Sequence, residues 1–301
     1  MLAVSESKQF LGELENVYKS YGAQTAVDGV DLTVSPGELI ALLGPNGAGK
    51  TTTISMLLGL QQPDAGSVSL FGESPSNVEA RRGIGVMLQE ESLAGELRVR
   101  ELLELVSAYY PDPYPPEEVM KLTRTSALAK RPYGKLSGGQ KRLVHFALAI
   151  CGRPRLLFLD EPTTGLDIDA RETLWATIRE FVARGTAVIL TTHYLEEAEA
   201  LADRIVVLVG GRPVASGTVE HLRSFVNRKR LSCSTSLDID RIRSWSEVVE
   251  SEVDEDGRLH LTVSDAEAVA RRLLIDDPTV REMEIHRAGL NEAFRKITKE
   301  S

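Results

Sequence analysis

The sequence predicts an α/β fold built on a mostly parallel β-sheet, with a helical insertion and a small α+β domain at the C-terminal end. Three observations support this prediction. Short apolar segments alternate with helical patterns over the first two thirds of the chain, which is typical of strands buried on both faces of a parallel sheet. From about residue 90 to residue 151 the pattern changes to helices. Beyond residue 227, strands and helices are mixed in a shorter unit.

The strands predicted for the parallel sheet are short and almost entirely apolar. They are Leu39–Leu43, Ile84–Leu88, Leu156–Leu159, Ala187–Thr191 and Ile205–Val209. A helix is predicted over Thr52–Leu60. The insertion contains three predicted helices, with a proline-rich stretch between the first two. These helices are Val99–Tyr109, Pro116–Thr125 and Gly138–Ile150.

A glycine-rich loop with the spacing Gly-x-x-x-x-Gly-Lys-Thr joins the first apolar strand to the helix that follows. Its residues are Gly44, Pro45, Asn46, Gly47, Ala48, Gly49, Lys50, Thr51 and Thr52. The glycines let main-chain N–H groups face an anion at the helix N-terminus, where the helix dipole also favours negative charge. We expect Lys50 to reach the β- and γ-phosphates and Thr51 to ligate Mg²⁺. A simple glycine turn is the alternative, but the strand–loop–helix context favours a nucleoside triphosphate.

Two adjacent carboxylates, Asp160 and Glu161, follow the strand Leu156–Leu159. They are therefore predicted to lie at the carboxyl edge of the sheet, beside the phosphate loop. Asp160 suits Mg²⁺ coordination through water, and Glu161 suits a general base that polarises the attacking water. Taken alone, two adjacent acids after a strand are better explained as solvated side chains that end the strand.

A second anion site is predicted at the start of helix Gly138–Ile150. The run Leu136-Ser137-Gly138-Gly139-Gln140 places a serine hydroxyl and several N–H groups at that helix N-terminus. A glycine-rich helix cap without a ligand is the alternative. Two single residues also follow predicted strands: Gln89 comes after Ile84–Leu88, and His193 comes shortly after Thr191.

In this order, the motifs resemble those of the ATP-binding subunits of ABC transporters. The resemblance covers about residues 12 to 220, and we assign the ATPase domain to residues 12–222, with its helical part at about 90–151. It implies a P-loop NTPase with a RecA-like core that binds and hydrolyses ATP with Mg²⁺. It further implies that Gln89 senses Mg²⁺ and the γ-phosphate and that His193 contacts the γ-phosphate.

The resemblance also assigns the nucleotide contacts outside the phosphate loop. Tyr21 matches an aromatic residue that stacks on the adenine ring, although Tyr18 is close by and either could belong to the core. Asp167 belongs to an element that lies at the dimer interface of the family. In that dimer, two chains pair head to tail, and Ser137, Gly138, Gly139 and Gln140 of one chain cap the γ-phosphate held by the other.

The partners implied by the resemblance are ATP, a second copy of the chain or a homologous ATPase subunit, and separate integral-membrane permease subunits. The implied location is cytoplasmic, on the inner face of the cell membrane. The stretches Gly289–Phe294 and Asp167–Trp175 are similar to those of drug- and ion-exporter ATPases of the daunorubicin-resistance type. We therefore expect an exporter.

The C-terminal segment, residues 227–301, is predicted to form a separate accessory or regulatory domain. Its pattern reads as strand, helix, strand, strand, helix and strand, followed by a final helix at Leu290–Ile297. That order suggests a small ferredoxin-like unit.

Bulk composition excludes several other classes of protein. The net charge of −9 provides no excess of positive charge that would favour binding to nucleic acid. Apolar runs such as Ile205–Val209 are far shorter than the ~20 residues that span a bilayer. Two cysteines in 301 residues give no disulfide framework and suit a reducing cytosol. The remaining alternative is a soluble ABC ATPase that acts on nucleic acid or ribosomes, but this chain has neither a long coiled-coil insertion nor a second cassette.

Overall fold

The computed structural model describes residues 10–88, 93–224, 229–254, 257–287 and 290–299. The chain divides into two compact units at the boundary between Val219 and Glu220. Two sequence predictions lie outside the described residues, namely Gln89 and residue 227 as the start of the C-terminal domain. Among the helices in the described ranges, none combines the length and apolar character needed to cross a bilayer.

The first unit consists of two sheets and their surrounding helices. Its strands are β1 (Gly12–Tyr21), β2 (Gln24–Val34), β3 (Leu39–Leu43), β4 (Ala65–Leu70), β5 (Ile84–Met87), β6 (Leu156–Asp160), β7 (Ala187–Thr191), β8 (Arg204–Val209) and β9 (Arg212–Gly217). Its helices are α1 (Lys50–Leu57), α2 (Val78–Arg81), α3 (Val99–Ser107), α4 (Pro116–Leu122), α5 (Gly138–Ile150), α6 (Ile168–Ala183) and α7 (Leu195–Leu201). Short 3₁₀ turns lie at Ser126–Leu128 and Tyr133–Lys135, and α8 (Val219–Ser224) spans the boundary between the units.

The larger sheet has the strand order β5-β6-β7-β3-β8-β9. Its neighbouring strands are parallel except for β8 and β9, so the predicted mostly parallel α/β core is confirmed. Every residue of β3 and β7 is buried, as expected for strands covered on both faces. Because β6, β7 and β3 are neighbours and run in the same direction, the loops at their carboxyl ends meet at one edge of the sheet.

A smaller antiparallel sheet, with the order β2-β1-β4, was not predicted from the sequence. The register of β1 shifts between Leu14 and Val17, where Asn16 has a positive φ of 47°. Such a bulge breaks the two-residue alternation by which a half-buried strand is recognised. This sheet shares one core with α1 and the larger sheet, in which Leu14, Leu57 and Phe158 are almost fully buried.

Helices α3, α4 and α5 occupy the predicted helical insertion. One face of α3 buries Val99, Leu102 and Leu103, at the three- and four-residue spacing of an amphipathic helix. Helix α5 is buried from Val144 to Ile150 and contacts α3, α4 and β5. It is therefore the element that joins the helical part of the unit to the larger sheet.

The second unit has its own sheet and its own core. Its elements are β10 (Lys229–Ser234), α9 (Ile239–Arg243), β11 (Val248–Val253), β12 (Leu259–Val263), α10 (Ala266–Asp276), β13 (Arg281–Arg287) and α11 (Leu290–Lys299). The strands pair antiparallel in the order β11-β12-β10-β13, so β12 lies between the two strands that α9 connects. Leu231, Leu261 and Leu273 are fully buried between this sheet and α10.

Candidate nucleotide-binding and hydrolysis site

The loop between β3 and α1 has a backbone that its glycines make possible. Gly47 and Gly49 have φ values of 80° and 97°, in the left-handed region. A Cβ atom on Gly49 would lie 2.3 Å from the carbonyl oxygen of Ala26, so a larger residue does not fit there. Helix α1 then begins at Lys50 without a side chain that caps its first N–H groups. Those N–H groups form an anion-binding helix N-terminus.

The ammonium group of Lys50 lies over this loop. Its Nζ donates hydrogen bonds to the carbonyl oxygens of Gly44, at 2.8 Å, and Pro45, at 3.1 Å. Burial lowers the pKa of Lys50, and the nearby carboxylates of Glu161 and Asp160 act against this lowering. The phosphate loop and the predicted catalytic carboxylates are therefore close enough to interact electrostatically.

Asp160 and Thr51 supply oxygen donors at this edge of the sheet. Asp160 ends β6 and accepts a hydrogen bond from the hydroxyl of Thr191, which ends the neighbouring strand β7. The side chain of Thr51 is exposed in the first turn of α1. Within the described ranges, there is no group of three or more His, Cys, Asp and Glu side chains that could hold a metal ion by themselves. The donor set fits Mg²⁺, which is commonly bound by one or two carboxylates together with nucleotide phosphates.

Glu161 and His193 form a pair that was not predicted as such. The Nδ1 atom of His193 lies 3.1 Å from Oε1 of Glu161, and the two side chains are 52% and 21% exposed. Glu161 has a positive φ of 48°, which is uncommon for a residue with a side chain. Its N–H donates to the carbonyl oxygen of Thr191 at 3.0 Å. The histidine, with a proton on Nδ1, can hold the carboxylate in one orientation, and the other carboxylate oxygen, Oε2, accepts a hydrogen bond from the hydroxyl of Thr164 at 3.4 Å.

The start of α5 has the geometry of a capping box. The hydroxyl of Ser137 accepts a hydrogen bond from the N–H of Gln140 at 3.3 Å, and the Gln140 side chain accepts one from the N–H of Ser137 at 3.2 Å. Ser137 and Gly138 are exposed, whereas Gly139 lies against the carbonyl oxygen of Gly165. In the described parts of the chain, no hydrogen bond joins this run to the phosphate loop.

The other predicted contact residues lie at the rim of the site or have local structural roles. Tyr21 is 48% exposed, and its hydroxyl donates a hydrogen bond to the side chain of Gln61. Its ring is therefore accessible for stacking. Asp167 caps α6 by accepting a hydrogen bond from the N–H of Ala170 at 2.8 Å. Of the remaining loop residues, Pro45 and Asn46 are exposed, Ala48 is buried and Thr52 is half-buried.

Arg142 in α5 is a site residue that the sequence analysis did not single out. Only 8% of this residue is exposed, and its guanidinium donates hydrogen bonds to main-chain carbonyl oxygens at the ends of β5 and β6. The available signal was a charged residue directly before the largely apolar stretch Leu143–Ile150. Its acceptors come from two distant segments, so the sequence did not reveal them.

Comparisons with known proteins give the family. A family model described as "ABC transporter" matches residues 27–164. A Nod factor export ATP-binding protein I from Paraburkholderia xenovorans (strain LB400) is 44% identical over 214 residues, which are 68% of this chain and 70% of the relative. A protein of the same name from Rhizobium etli is 42% identical and covers 71% of this chain and 70% of the relative. The chain belongs to the ABC transporter family.

Solved structures of ABC cassettes have the same fold. The ATP-binding subunit of an ABC transporter superposes with a TM-score of 0.66 at 31% identity, over 71% of this chain and 92% of that one. The dimeric structure of a bacterial ABC transporter cassette gives a TM-score of 0.63 at 25% identity, over 69% of this chain and 98% of that one. The predicted P-loop NTPase fold is therefore confirmed. As a member of the ABC family, the chain is an ATP-binding and ATP-hydrolysing subunit.

Proposed function

We propose that this chain is the ATPase subunit of an ABC exporter and that it drives separate integral-membrane permease subunits. The observation that carries the proposal is the group formed by Lys50, Asp160, Glu161 and His193 at one edge of the parallel sheet. This group contains a cation for the phosphates, a carboxylate for a metal ion, and a second carboxylate held by a histidine. The exporter assignment is supported by the names of the relatives, which are export ATP-binding proteins.

In the proposed reaction, the phosphate loop binds ATP and Glu161 polarises the water that attacks the γ-phosphate. Mg²⁺, held by Thr51, Asp160 and the phosphates, with Gln89 as a further ligand, would neutralise charge that develops on the phosphate oxygens. His193 orients Glu161 and would contact the γ-phosphate. Tyr21 would stack on the adenine, and Asp167 would contribute to the interface between two chains.

The anion site at the start of α5 belongs, in this proposal, to the nucleotide of a second chain. Ser137 and Gly138 are exposed, and the hydrogen bonds of Ser137 do not involve the phosphate loop of its own chain. Two chains arranged head to tail would place each Ser137 on the γ-phosphate of the partner. Such a pair has twofold symmetry and two equivalent composite sites.

The test is ATP-dependent dimerisation in a background that cannot complete hydrolysis. With Glu161→Gln, ATP should convert monomers into dimers, as measured by light scattering after size-exclusion chromatography. Adding Ser137→Arg should abolish this conversion and leave ATP binding to the monomer intact, because the arginine obstructs only the site offered to the partner. Ser126→Arg is the matched control, since it adds the same side chain to an exposed serine elsewhere in the helical part. A dimer that still forms with Ser137→Arg would contradict the head-to-tail arrangement.

A further inference from the structure

One buried guanidinium, that of Arg142 in α5, contacts four main-chain carbonyl groups. Its Nε donates to the carbonyl oxygen of Pro162 at 3.3 Å, and its Nη1 donates to that of Leu88 at 3.0 Å. Its Nη2 donates to the carbonyl oxygens of Asp160 and Glu161. An arginine has five N–H donors in a rigid planar fork, so a single side chain can serve all four acceptors.

These contacts surround a residue whose backbone is strained. Glu161 has a φ of 48°, and a residue with a side chain keeps such a conformation only where its surroundings enforce it. The N–H of Glu161 is bonded to the carbonyl of Thr191, and its own carbonyl is bonded to Arg142. The carbonyl groups on either side, of Asp160 and Pro162, are bonded to Arg142 as well. The main chain that orients the Glu161 carboxylate is thus held by Arg142 together with Thr191 and Thr164, whose N–H also donates to the carbonyl oxygen of Glu161 at 3.3 Å.

Arg142 also joins two parts of the unit. It lies in the second turn of α5, and the exposed Ser137 is the N-cap of the same helix. Through Leu88 and Glu161, it links this helix to the ends of β5 and β6 in the larger sheet. Arg142 therefore connects the helix start at Ser137, proposed to contact the nucleotide of a partner chain, with Glu161, proposed to act on the nucleotide of its own chain.

We propose that Arg142 is a positioning residue for hydrolysis, which sets the orientation of Glu161 and ties it to the helix that begins after Ser137. The proposal rests on the proposed function in that Glu161 must be the group that activates water. Three of the four carbonyls that Arg142 contacts belong to Asp160, Glu161 and Pro162, so it acts on Glu161 through the main chain. Its loss should therefore lower the rate of the chemical step and leave ATP binding unchanged, because none of these four carbonyls belongs to the phosphate loop.

The test variant is Arg142→Lys, in which a compact ammonium group replaces the planar guanidinium. Lysine cannot reproduce contacts to four carbonyls at once, and a misplacement of about 1 Å at a catalytic group can cost about 10²-fold in rate. We expect kcat to fall by that order and the affinity for ATP to stay at the parent value. If the lysine variant does not fold, Arg142→Gln, which donates through one neutral amide, is measured in the same way.

Arg81→Lys is the matched control. The guanidinium of Arg81 also donates to two main-chain carbonyls, those of Pro75 and Gly59, both at 2.8 Å, but the loops it joins carry no residue of the site. This control should lose comparable stability in thermal unfolding and keep the parent kcat. A loss of kcat as large as that of Arg142→Lys would show that general loosening of the fold explains both effects, and the proposal would be wrong.

A double variant separates this inference from the proposed function. If Arg142 acts through Glu161, then Arg142→Lys should cause little further loss of single-turnover rate once Glu161→Gln is present. Independent, multiplicative losses would overturn the inference and leave the role of Glu161 intact. An unchanged kcat in Arg142→Lys would also overturn the inference, and so would a loss of ATP affinity that equals the loss of kcat. Failure of the proposed function would instead appear as parent-like turnover in Glu161→Gln alone.

Discussion

At the scale of single residues, a buried carboxyl group, that of Glu197 in α7, lies near the candidate site. The residue is completely buried, and its Oε1 accepts a hydrogen bond from the indole Nε1 of Trp175 in α6 at 3.1 Å. Burial raises the pKa of Glu197, and the neighbouring polar groups of Thr192, Trp175 and Thr163 act against this rise. Because Thr192 directly precedes His193 and Thr163 lies two residues after Glu161, this carboxyl lies close to both loops of the candidate site.

The raised pKa of Glu197 predicts a pH dependence of stability. The folded protein binds this proton more tightly than the unfolded chain, so the associated stability is present at low pH and is lost as the pH rises through the raised pKa. Glu197→Gln keeps an acceptor for Trp175 but removes the titration. The free energy of unfolding of the parent should therefore fall, relative to the variant, as the pH rises above 4.5, the ordinary value for this carboxyl.

Denaturant unfolding over a range of pH values measures this difference. Glu196→Gln serves as the control, because the neighbouring Glu196 is exposed and its removal should leave no such pH-dependent difference. Parallel curves for the parent and Glu197→Gln would show that Glu197 titrates alike in the folded and unfolded protein.

The positions of several candidate site residues in the fold could be predicted from the sequence, but their contacts with one another could not. Lys50, Asp160 and Glu161 were expected together because parallel strands end at a common edge. The pairing of Glu161 with His193 and the carbonyl contacts of Arg142 depend on side-chain directions and loop backbone. No local pattern encodes these. Gln89 was predicted from its position after β5 and remains a prediction.

At the scale of secondary-structure elements, the segment that leads into α3 is linked to the turn that leads into α5. The carbonyl of Gly95 accepts a hydrogen bond from the N–H of Gly134 at 2.9 Å, and that of Leu97 accepts one from the N–H of Tyr133 at 2.8 Å. The half-buried Leu93 lies at the start of this segment. A partner seated on the segment could therefore affect the helix start that carries Ser137, and linkage requires the effect to be reciprocal.

Leu93→Asp is predicted to weaken assembly with the proposed permease subunit while folding and ATP binding remain intact. The reason is that a charge replaces an apolar contact at the junction between the sheet and the helical part. Co-purification with the membrane subunit, together with basal ATPase activity, measures both effects. Leu105→Asp is the matched control, since Leu105 is 51% exposed on α3. Unchanged assembly with Leu93→Asp would place the docking surface elsewhere, and lost ATP binding would show that Leu93 belongs to the core.

Element types were predicted well where a strand is buried on both faces. Each apolar segment assigned to the parallel sheet is a strand, and the three helices of the insertion are present. The antiparallel strands β1, β2 and β4 were not predicted, because bulges in β1 interrupt the alternation of apolar and polar residues. Their pairing is also non-local, so it depends on a core that is completed by α1 and β6.

At the scale of the whole molecule, the proposal makes turnover a property of two chains. The groups proposed to bind phosphate and activate water lie together in one chain, whereas Ser137 is exposed and its hydroxyl accepts a hydrogen bond from the N–H of Gln140 in the cap of α5. The second unit has a separate core, and none of the residues of the candidate site belongs to it. The proposed hydrolysis of ATP therefore depends on residues of the first unit alone. Its main assumption is that Glu161 activates the attacking water.

The most direct measurement is steady-state and single-turnover ATP hydrolysis by Glu161→Gln, with ATP affinity measured in parallel. Losing a general base typically costs about 10²- to 10⁴-fold in rate. The variant should bind ATP as the parent does and lose turnover by that order. Glu172→Gln, at an exposed position on α6, should hydrolyse ATP at the parent rate. Hydrolysis by Glu161→Gln at a rate near that of the parent, with ATP binding intact, would contradict the assignment of Glu161 as the residue that activates water.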